Sequence, residues 1–132
     1  MRHKPCLTAS DVQTMAAACR AEAEKHKWNV TIAITDEAGF LHYLERMEGA
    51  GPTSAEVAVA KAKTSAITRR PSKFWEDRIK DRPAFMNFPG VLQIQGGLPI
   101  MYEGECVGAI GVSGVQSHED EQIAKAGIDA LV

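Results

Sequence analysis

A lysine and several hydroxyl side chains recur at helical spacing near the middle of the chain. At 100° per residue, Ser54, Val57, Lys61, Thr64 and Thr68 fall on one side of a predicted helix. If this side lines a cleft, Lys61 supplies a group for proton transfer or anion binding, and Thr64 supplies an oriented hydroxyl. A solvated helix surface produces the same pattern, so the spacing leaves both interpretations open.

Polar residues also border the predicted loops. Arg46 and Glu48 lie where a predicted strand ends before a helix, which is a frequent location of binding groups. Arg46 suits either a carboxylate ligand or a structural ion pair with Glu48 or Asp36. The start of the last predicted helix, whose amino end attracts anions, contributes two more polar residues. The candidate ligand-binding residues are Arg46, Thr64, Ser113 and Gln116, and the candidate catalytic residues are Lys61 and Glu48.

The histidines and cysteines form no recognisable metal-binding motif. The histidines show no HxxxH or HExxH spacing, and the cysteines include no CxxC pair. These residues are His3, His26, His42, His118, Cys6, Cys19 and Cys106. We therefore expect no metal site built from local sequence, and we expect thiols that are buried or idle.

Composition excludes several classes of function. The chain has 132 residues, 45% of them hydrophobic and 24% charged, which is typical of one globular domain spanning residues 1–132. A net charge of −2 gives no general attraction to nucleic acids or anionic membranes. No segment reaches the roughly 20 apolar residues of a membrane span, and the first residues lack the apolar core of a secretory signal. We therefore expect a cytoplasmic protein without a nucleic-acid or membrane partner.

Two β-hairpins are predicted from alternating polarity and turn residues. Alternation from residue 30 onward, interrupted by the turn residues Asp36 to Gly39, predicts a hairpin over residues 30–46. The segments Leu98 to Tyr102 and Glu105 to Ser113 flank the two-residue turn Glu103–Gly104 and predict a second hairpin. Residues 83–97 predict an ordered apolar loop with at most a short strand.

Helical spacing and capping residues predict four helices around these hairpins. The predicted helix starts are Ser10, Thr53 with Glu56 as a capping box, Ser72, and Ser117 with Asp120. The first three helices end near His26, Thr68 and Arg82. Apolar stripes are expected at Ala55, Val59, Ala62 and Ala66, and at Ile123, Gly127, Ala130 and Leu131. The order α-β-β-α-α-β-β-α predicts an α+β fold in which helices pack on one antiparallel sheet.

Glycines are unusually placed in the second hairpin. Gly108 and Gly111 lie within a predicted strand, and Gly96–Gly97 precedes the hairpin. Because glycine weakens a strand, its presence indicates that another group approaches this backbone closely. A helix, a neighbouring subunit or a ligand would satisfy this requirement.

An ordered series of motifs resembles the GlcG/HbpS-like haem-binding family, which is related to the PduO C-terminal domain. The motifs are Arg46–Ala50, Lys61–Ala66, Arg70–Ser72, Phe88–Leu92, Gly96–Ile100 and Gly104–Gly114 with Asp120. The resemblance extends from about Leu7 to Val132. It implies a profilin-like fold, assembly into homo-oligomers such as tetramers or octamers, and haem binding in some members.

The resemblance and the candidate residues together give two hypotheses about function. The first is a small oligomeric protein that binds haem or a similar small ligand and is accessory to a catabolic operon. His42, which shares a strand face with Phe40 and Leu44, is a weak candidate for the haem ligand. The expected apolar wall of the pocket is Phe85, Met86, Phe88 and Leu92.

The second hypothesis is an enzyme, a tautomerase, isomerase or lyase that acts on a 2-hydroxy-dienoate or 2-oxo acid. Lys61 or Glu48 would move the proton, and Arg46 would hold the carboxylate. A purely structural oligomer is the remaining alternative.

Overall fold

One four-stranded antiparallel sheet with helices on both faces forms the molecule in this computed structural model, which describes all 132 residues. The strands are β1 (Thr31–Asp36), β2 (Leu41–Arg46), β3 (Gly97–Tyr102) and β4 (Glu105–Ser113), in the order β2-β1-β4-β3. The helices are α1 (Ala9–Lys25), α2 (Ser54–Thr68), α3 (Ser72–Asp81) and α4 (Ser117–Leu131). The predicted α+β class and the predicted order of elements are confirmed. None of the helices combines the length and the apolar character that crossing a bilayer requires.

Both predicted hairpins are present, and their turns show why. The Asp36 carboxylate accepts hydrogen bonds from the backbone N–H groups of Ala38 and Phe40, which closes the first turn. In the second turn, Glu103 and Gly104 both have positive φ angles, of 49° and 79°. Two consecutive residues with positive φ are the requirement of the type I′ turn that suits two-residue hairpins.

The two faces of the sheet are packed differently. On one face, the large side chains of Ile32, Ile34 and Ile110 pack against α1 and α4 in a cluster of 15 buried residues. On the other face, α2 packs on β4, β1 and β3, and the fully buried apolar side chains of this contact are all alanines. This second cluster consists of Ala33, Ala58, Ala62, Ala66 and Ala109. Because these side chains are small, the axis of α2 lies close to the sheet.

Two of the strand glycines, Gly97 and Gly111, are explained by this close approach, whereas a Cβ atom on Gly108 would meet the Thr35 carbonyl oxygen and Leu7. A Cβ atom on Gly111 would lie 2.1 Å from the Ala58 carbonyl oxygen, and one on Gly97 would lie 2.3 Å from the Lys61 carbonyl oxygen. The group that approaches the β3–β4 backbone is therefore the backbone of α2. The expectation of a close approach is confirmed, and a ligand is not needed to account for it.

The four helices begin close to the predicted residues, but none of the predicted capping interactions is present. Thr53 makes no capping hydrogen bond. The Ser72 hydroxyl accepts a hydrogen bond from Gly97 N at 2.9 Å, and the cap position of α3 is Pro71. The cap of α4 is Gln116, whose backbone N–H donates to Glu119. The first helix is capped by Thr8 together with Asp11, two residues before the predicted Ser10.

The segment between α3 and β3 is an ordered loop without a strand. It begins with a 3-10 helix, Pro83–Asn87, and continues irregularly to β3. In α4, Ala130 is exposed although it was predicted on the apolar side, whereas Ile123 and Gly127 are buried. Cys19 and Cys106 are buried and Cys6 is exposed, and burial raises the pKa of Cys19 to about 12.

Candidate functional site

The side chain of Lys61 is buried at the junction of α2, β4 and α4. Only 2% of it is exposed, and Nζ donates hydrogen bonds to the Val112 carbonyl oxygen and to Asp120 Oδ2, both at 3.0 Å. Neither cavity of the structure is lined by Lys61. At Lys61, this side of α2 is therefore neither a solvated surface nor the wall of a cleft, because β4 and α4 cover it.

Asp120 completes a buried ion pair that joins α2 to the beginning of α4. Its second carboxylate oxygen accepts a hydrogen bond from Val115 N at 3.1 Å. Burial raises the pKa of Asp120, while the Lys61 charge and the hydrogen bonds act in the opposite direction. A Cβ atom on Gly96 would lie 2.7 Å from Lys61 Nζ, so glycine leaves the room that the ammonium group occupies.

The hydroxyl of Thr64 is also used internally. It accepts a hydrogen bond from Leu92 N at 2.7 Å and donates one to the Ala60 carbonyl oxygen at 2.8 Å. One turn later, Thr68 accepts a hydrogen bond from Trp75 Nε1 at 3.0 Å. These two hydroxyls attach the loop before β3 and helix α3 to α2. The structure thus gives Thr64 a structural role, and its predicted role in ligand binding stays a prediction.

Arg46 and Ser113 are brought into one row across the sheet, because each pairs with Thr31 on either side of β1. Arg46 is exposed and donates a hydrogen bond from Nε to the Ala50 carbonyl oxygen at 3.1 Å. It forms no ion pair with Glu48 or Asp36. Its guanidinium group therefore remains available at the surface.

The remaining candidates are not brought together. Glu48 is exposed in the loop before α2, and no hydrogen bond or ion pair joins it to the buried Lys61. Gln116 is exposed at the cap of α4. A proton-transfer pair of Lys61 and Glu48 therefore has no common cavity, and the catalytic roles of both residues stay predictions.

An open apolar groove runs between the edge strand β2 and α2. It forms because α2 covers β4, β1 and β3 and leaves the same face of β2 largely uncovered. The groove has a volume of about 400 Å³ and is lined by Leu44, Ala55, Glu56, Val59, Ala60 and Lys63. At its floor Leu44 remains 44% exposed. It is the cavity nearest to the predicted binding residues of β2.

Positively charged residues lie near both ends of this groove. Arg46, two residues after Leu44, lies on the same face of β2 near the start of α2. Lys63 lies two turns along α2, where Gly39 of the first hairpin turn and Gly90 of the loop pack against its side chain. Neither cation forms an ion pair. One carboxylate, that of Glu56, also lines the groove.

His42 is the extra residue of a β-bulge in β2 and is not among the residues that line the groove. Tyr43 pairs with Ile34 and Leu41 pairs with Thr35, so His42 lies between them without a partner of its own. Its side chain is exposed. Lys63 is not among the candidates that the sequence gives. Helical spacing alone does not show which side of α2 stays uncovered at the edge of the sheet.

The aromatic wall predicted for the pocket lies elsewhere. Phe85 and Phe88 pack on Trp75, with ring centroids 5.3 and 5.0 Å away, and neither lines the groove. A second cavity, of about 250 Å³, contains none of the candidate residues. Its lining is Pro5, Cys6, Leu7, Asp11, Tyr102, Val107, Leu131 and Val132.

Comparisons with known proteins agree on one family. The family model described as haem degrading protein HbpS-like matches residues 7–129. Protein GlcG of Escherichia coli is 36% identical over 114 residues, which cover 86% of this chain and 85% of GlcG. A crystal structure of a double mutant of Streptomyces reticuli HbpS is 32% identical, with a TM-score of 0.93, and covers 100% of this chain and 91% of that chain.

A more distant structure shares the fold. The crystal structure of a PduOC–haem complex has a TM-score of 0.89 at 24% identity, covering 96% of this chain and 95% of that chain. The family match over nearly the whole chain and the identity to GlcG support the same assignment. This chain belongs to the HbpS-like family.

Proposed function

We propose that this chain binds haem in the groove between β2 and α2. The observation that carries the proposal is an open apolar groove with an unpaired cation near each end and an exposed histidine on its strand. Membership of a family described by haem degradation and the PduOC–haem complex of the same fold support haem as the ligand.

The residues of the groove fit the chemistry of haem. A volume of about 400 Å³ lies within the range of small-molecule sites, and the porphyrin plane requires apolar contacts such as Leu44 and Val59. Lys63 and Arg46 would neutralise the propionates, and the imidazole of His42 would be available to the haem iron as a nitrogen ligand. Bound haem would supply a redox-active iron. The groove is open on one side, so part of the porphyrin would remain exposed.

Replacing Lys63 or His42 is expected to weaken haem binding, and the absorption spectra of the two variants should differ. Lys63→Met should raise the dissociation constant by about tenfold, because a charge-assisted hydrogen bond to a propionate is lost. His42→Ala should also shift the Soret band, because the nitrogen ligand available to the iron is removed. Absorbance titration with haem measures both effects.

The matched control for Lys63 is Lys125→Met, which removes an exposed lysine that pairs with Asp129 on α4. Its dissociation constant for haem should equal that of the unmodified protein. Equal affinity and an unchanged Soret band in Lys63→Met and His42→Ala would place haem outside the groove. Absence of a saturable Soret change in the unmodified protein would refute haem binding itself.

We also propose that the protein assembles into a homo-oligomer, a tetramer or an octamer. Phe40 is 72% exposed, Leu41 is 49% exposed, and both belong to the hairpin at the β2 edge, one of the two edges of the sheet. An uncovered edge strand that carries large apolar side chains is suited to pairing with another chain. The single-domain organisation, the cytoplasmic location and the accessory role in catabolism stay predictions.

Sedimentation equilibrium is expected to give a multiple of the 14.3 kDa chain mass. Leu41→Lys should reduce this mass, because a lysine on an edge strand opposes association. As a control, Tyr102→Lys on the opposite edge strand β3 should leave the mass unchanged. A monomeric unmodified protein would contradict the proposed assembly.

A further inference from the structure

Three arginines, one on α3 and one beside each of its ends, lie over aromatic rings. The guanidinium carbon of Arg70 lies 4.2 Å from the centroid of the Phe74 ring. Those of Arg78 and Arg82 lie 5.9 and 5.6 Å from the centroid of Phe85. Positions 70, 74, 78 and 82 are four residues apart, so they follow one side of the helix and its two flanks. We call these three arginines with Phe74 the arginine stripe.

The positive charge of this stripe is not neutralised within the protein. Residues 69–82 include six basic and three acidic side chains, although the whole chain has a net charge of −2. Two of the three carboxylates of α3 pair with lysines: Asp77 lies 3.1 Å from Lys73 and 3.7 Å from Lys80, and Glu76 lies 3.8 Å from Lys73. The third, Asp81, forms no ion pair and leaves the excess of positive charge on this segment in place. None of the three arginines forms an ion pair. Because like charges four residues apart repel, the stripe favours an external anion.

Stacking leaves the arginines ready to bind such an anion. A guanidinium group that lies against a ring uses its face, and its in-plane N–H donors remain free for a carboxylate. Exposed apolar side chains accompany the stripe: Phe74 is 36% exposed, and Met86 of the 3-10 helix is 63% exposed. The surface therefore offers both several carboxylate sites in a row and an apolar contact.

We propose that the arginine stripe binds an acidic segment of a partner protein, with carboxylates on Arg70, Arg78 and Arg82 and an apolar side chain against Met86. Clustered arginines recognise acidic peptide motifs through such charge-assisted contacts. The ten residues of α3 span about 15 Å, which matches an extended segment of about five residues. A protein segment is favoured over nucleic acid because the net charge of the chain repels a long polyanion. This binding is independent of haem.

The probe for this surface is an acetylated peptide of about ten residues that alternates glutamate with leucine. Trp75 is a built-in reporter, since its ring lies 4.9 Å from Phe74 and 5.3 Å from Phe85. Tryptophan fluorescence and calorimetry should show saturable binding at about 0.1 M salt. The double variant Arg78→Gln/Arg82→Gln should weaken it by about tenfold or more.

The matched control is Lys73→Gln/Lys80→Gln, which removes the same charge from the same helix. Because these lysines already pair with Asp77, affinity should change by less than about threefold. Equal weakening by the two double variants would overturn the proposal, as would absence of saturable binding. Tighter binding of a thymidine oligonucleotide of equal charge would overturn it in favour of nucleic acid. Circular dichroism checks that each variant folds. The single variant Arg70→Gln, which changes a residue outside α3, should also weaken binding of the peptide.

Discussion

Lys61→Met is expected to lower the free energy of unfolding at neutral pH by about 3–5 kcal/mol, because it leaves the Asp120 carboxylate buried without a counter-charge. Methionine has a similar length and fills the space along α2. The Val112 carbonyl oxygen also loses its hydrogen bond from Nζ. What remains on the carboxylate is the hydrogen bond from Val115 N. The loss is therefore one of charge pairing rather than of packing.

The difference in free energy of unfolding between Lys61→Met and the unmodified protein should become smaller in acid. Burial holds the pKa of Asp120 above 3.8, and removal of the Lys61 charge raises it further. A carboxyl with a raised native pKa stabilises the fold below its unfolded pKa, and that contribution is lost as pH rises through the native pKa. Urea unfolding at neutral pH and near pH 4 measures the change. The double variant Lys61→Met/Asp120→Asn should recover much of the stability.

Lys63→Met is the matched control for this experiment, because it removes an exposed lysine two residues away on the same helix. Its stability should remain within about 0.5 kcal/mol of the unmodified protein. If Lys61→Met lowered the free energy of unfolding at neutral pH as little as Lys63→Met does, the buried ion pair would not hold α2 and α4 together as described.

Gly111→Ala should destabilise the protein by about 3 kcal/mol or more, at the upper end of what overpacking produces. The added Cβ would lie 2.1 Å from the Ala58 carbonyl oxygen and 2.4 Å from Ala62 N. Both are backbone atoms of α2, so no side-chain rotation can relieve the contact. The helix would have to move away from β4, and the alanine cluster would lose its packing.

Gly51→Ala provides the comparison, since an added Cβ there meets nothing within 4 Å. Its effect should stay within about 1 kcal/mol in either direction. Urea denaturation of the two variants measures the difference. Comparable stability of Gly111→Ala and Gly51→Ala would show that α2 does not lie against β4 as closely as the structure places it.

The elements of this fold were predictable because their signals are local. Alternating polarity and the turn residues Asp36 to Gly39 and Glu103–Gly104 specify the hairpins within a few residues. The helix caps were less predictable, because a serine or threonine at a helix start has several possible partners. Ser54 bonds to Thr31, and Ser72 bonds to Gly97, each more than 20 residues away.

The candidate site depended on packing that sequence spacing does not contain. Lys61 is a candidate catalytic residue from its helical spacing, but its partners Val112 and Asp120 are 51 and 59 residues away. The groove exists because β2 is an edge strand that α2 does not cover, which follows from the strand order rather than from any motif. Arg46 is a candidate because it lies where a predicted strand ends before a helix, and His42 because of the alternation along that strand, whereas Lys63 becomes a candidate only from the position of α2.

Haem titration of a groove-blocking variant tests the central claim most directly. Ala60 lines the groove, and Ala60→Phe would fill it from the side of α2. Ala21→Phe makes the same change on the exposed surface of α1. We expect Ala60→Phe to abolish the saturable Soret change and Ala21→Phe to preserve it. Undiminished haem affinity in a folded Ala60→Phe variant would contradict the account.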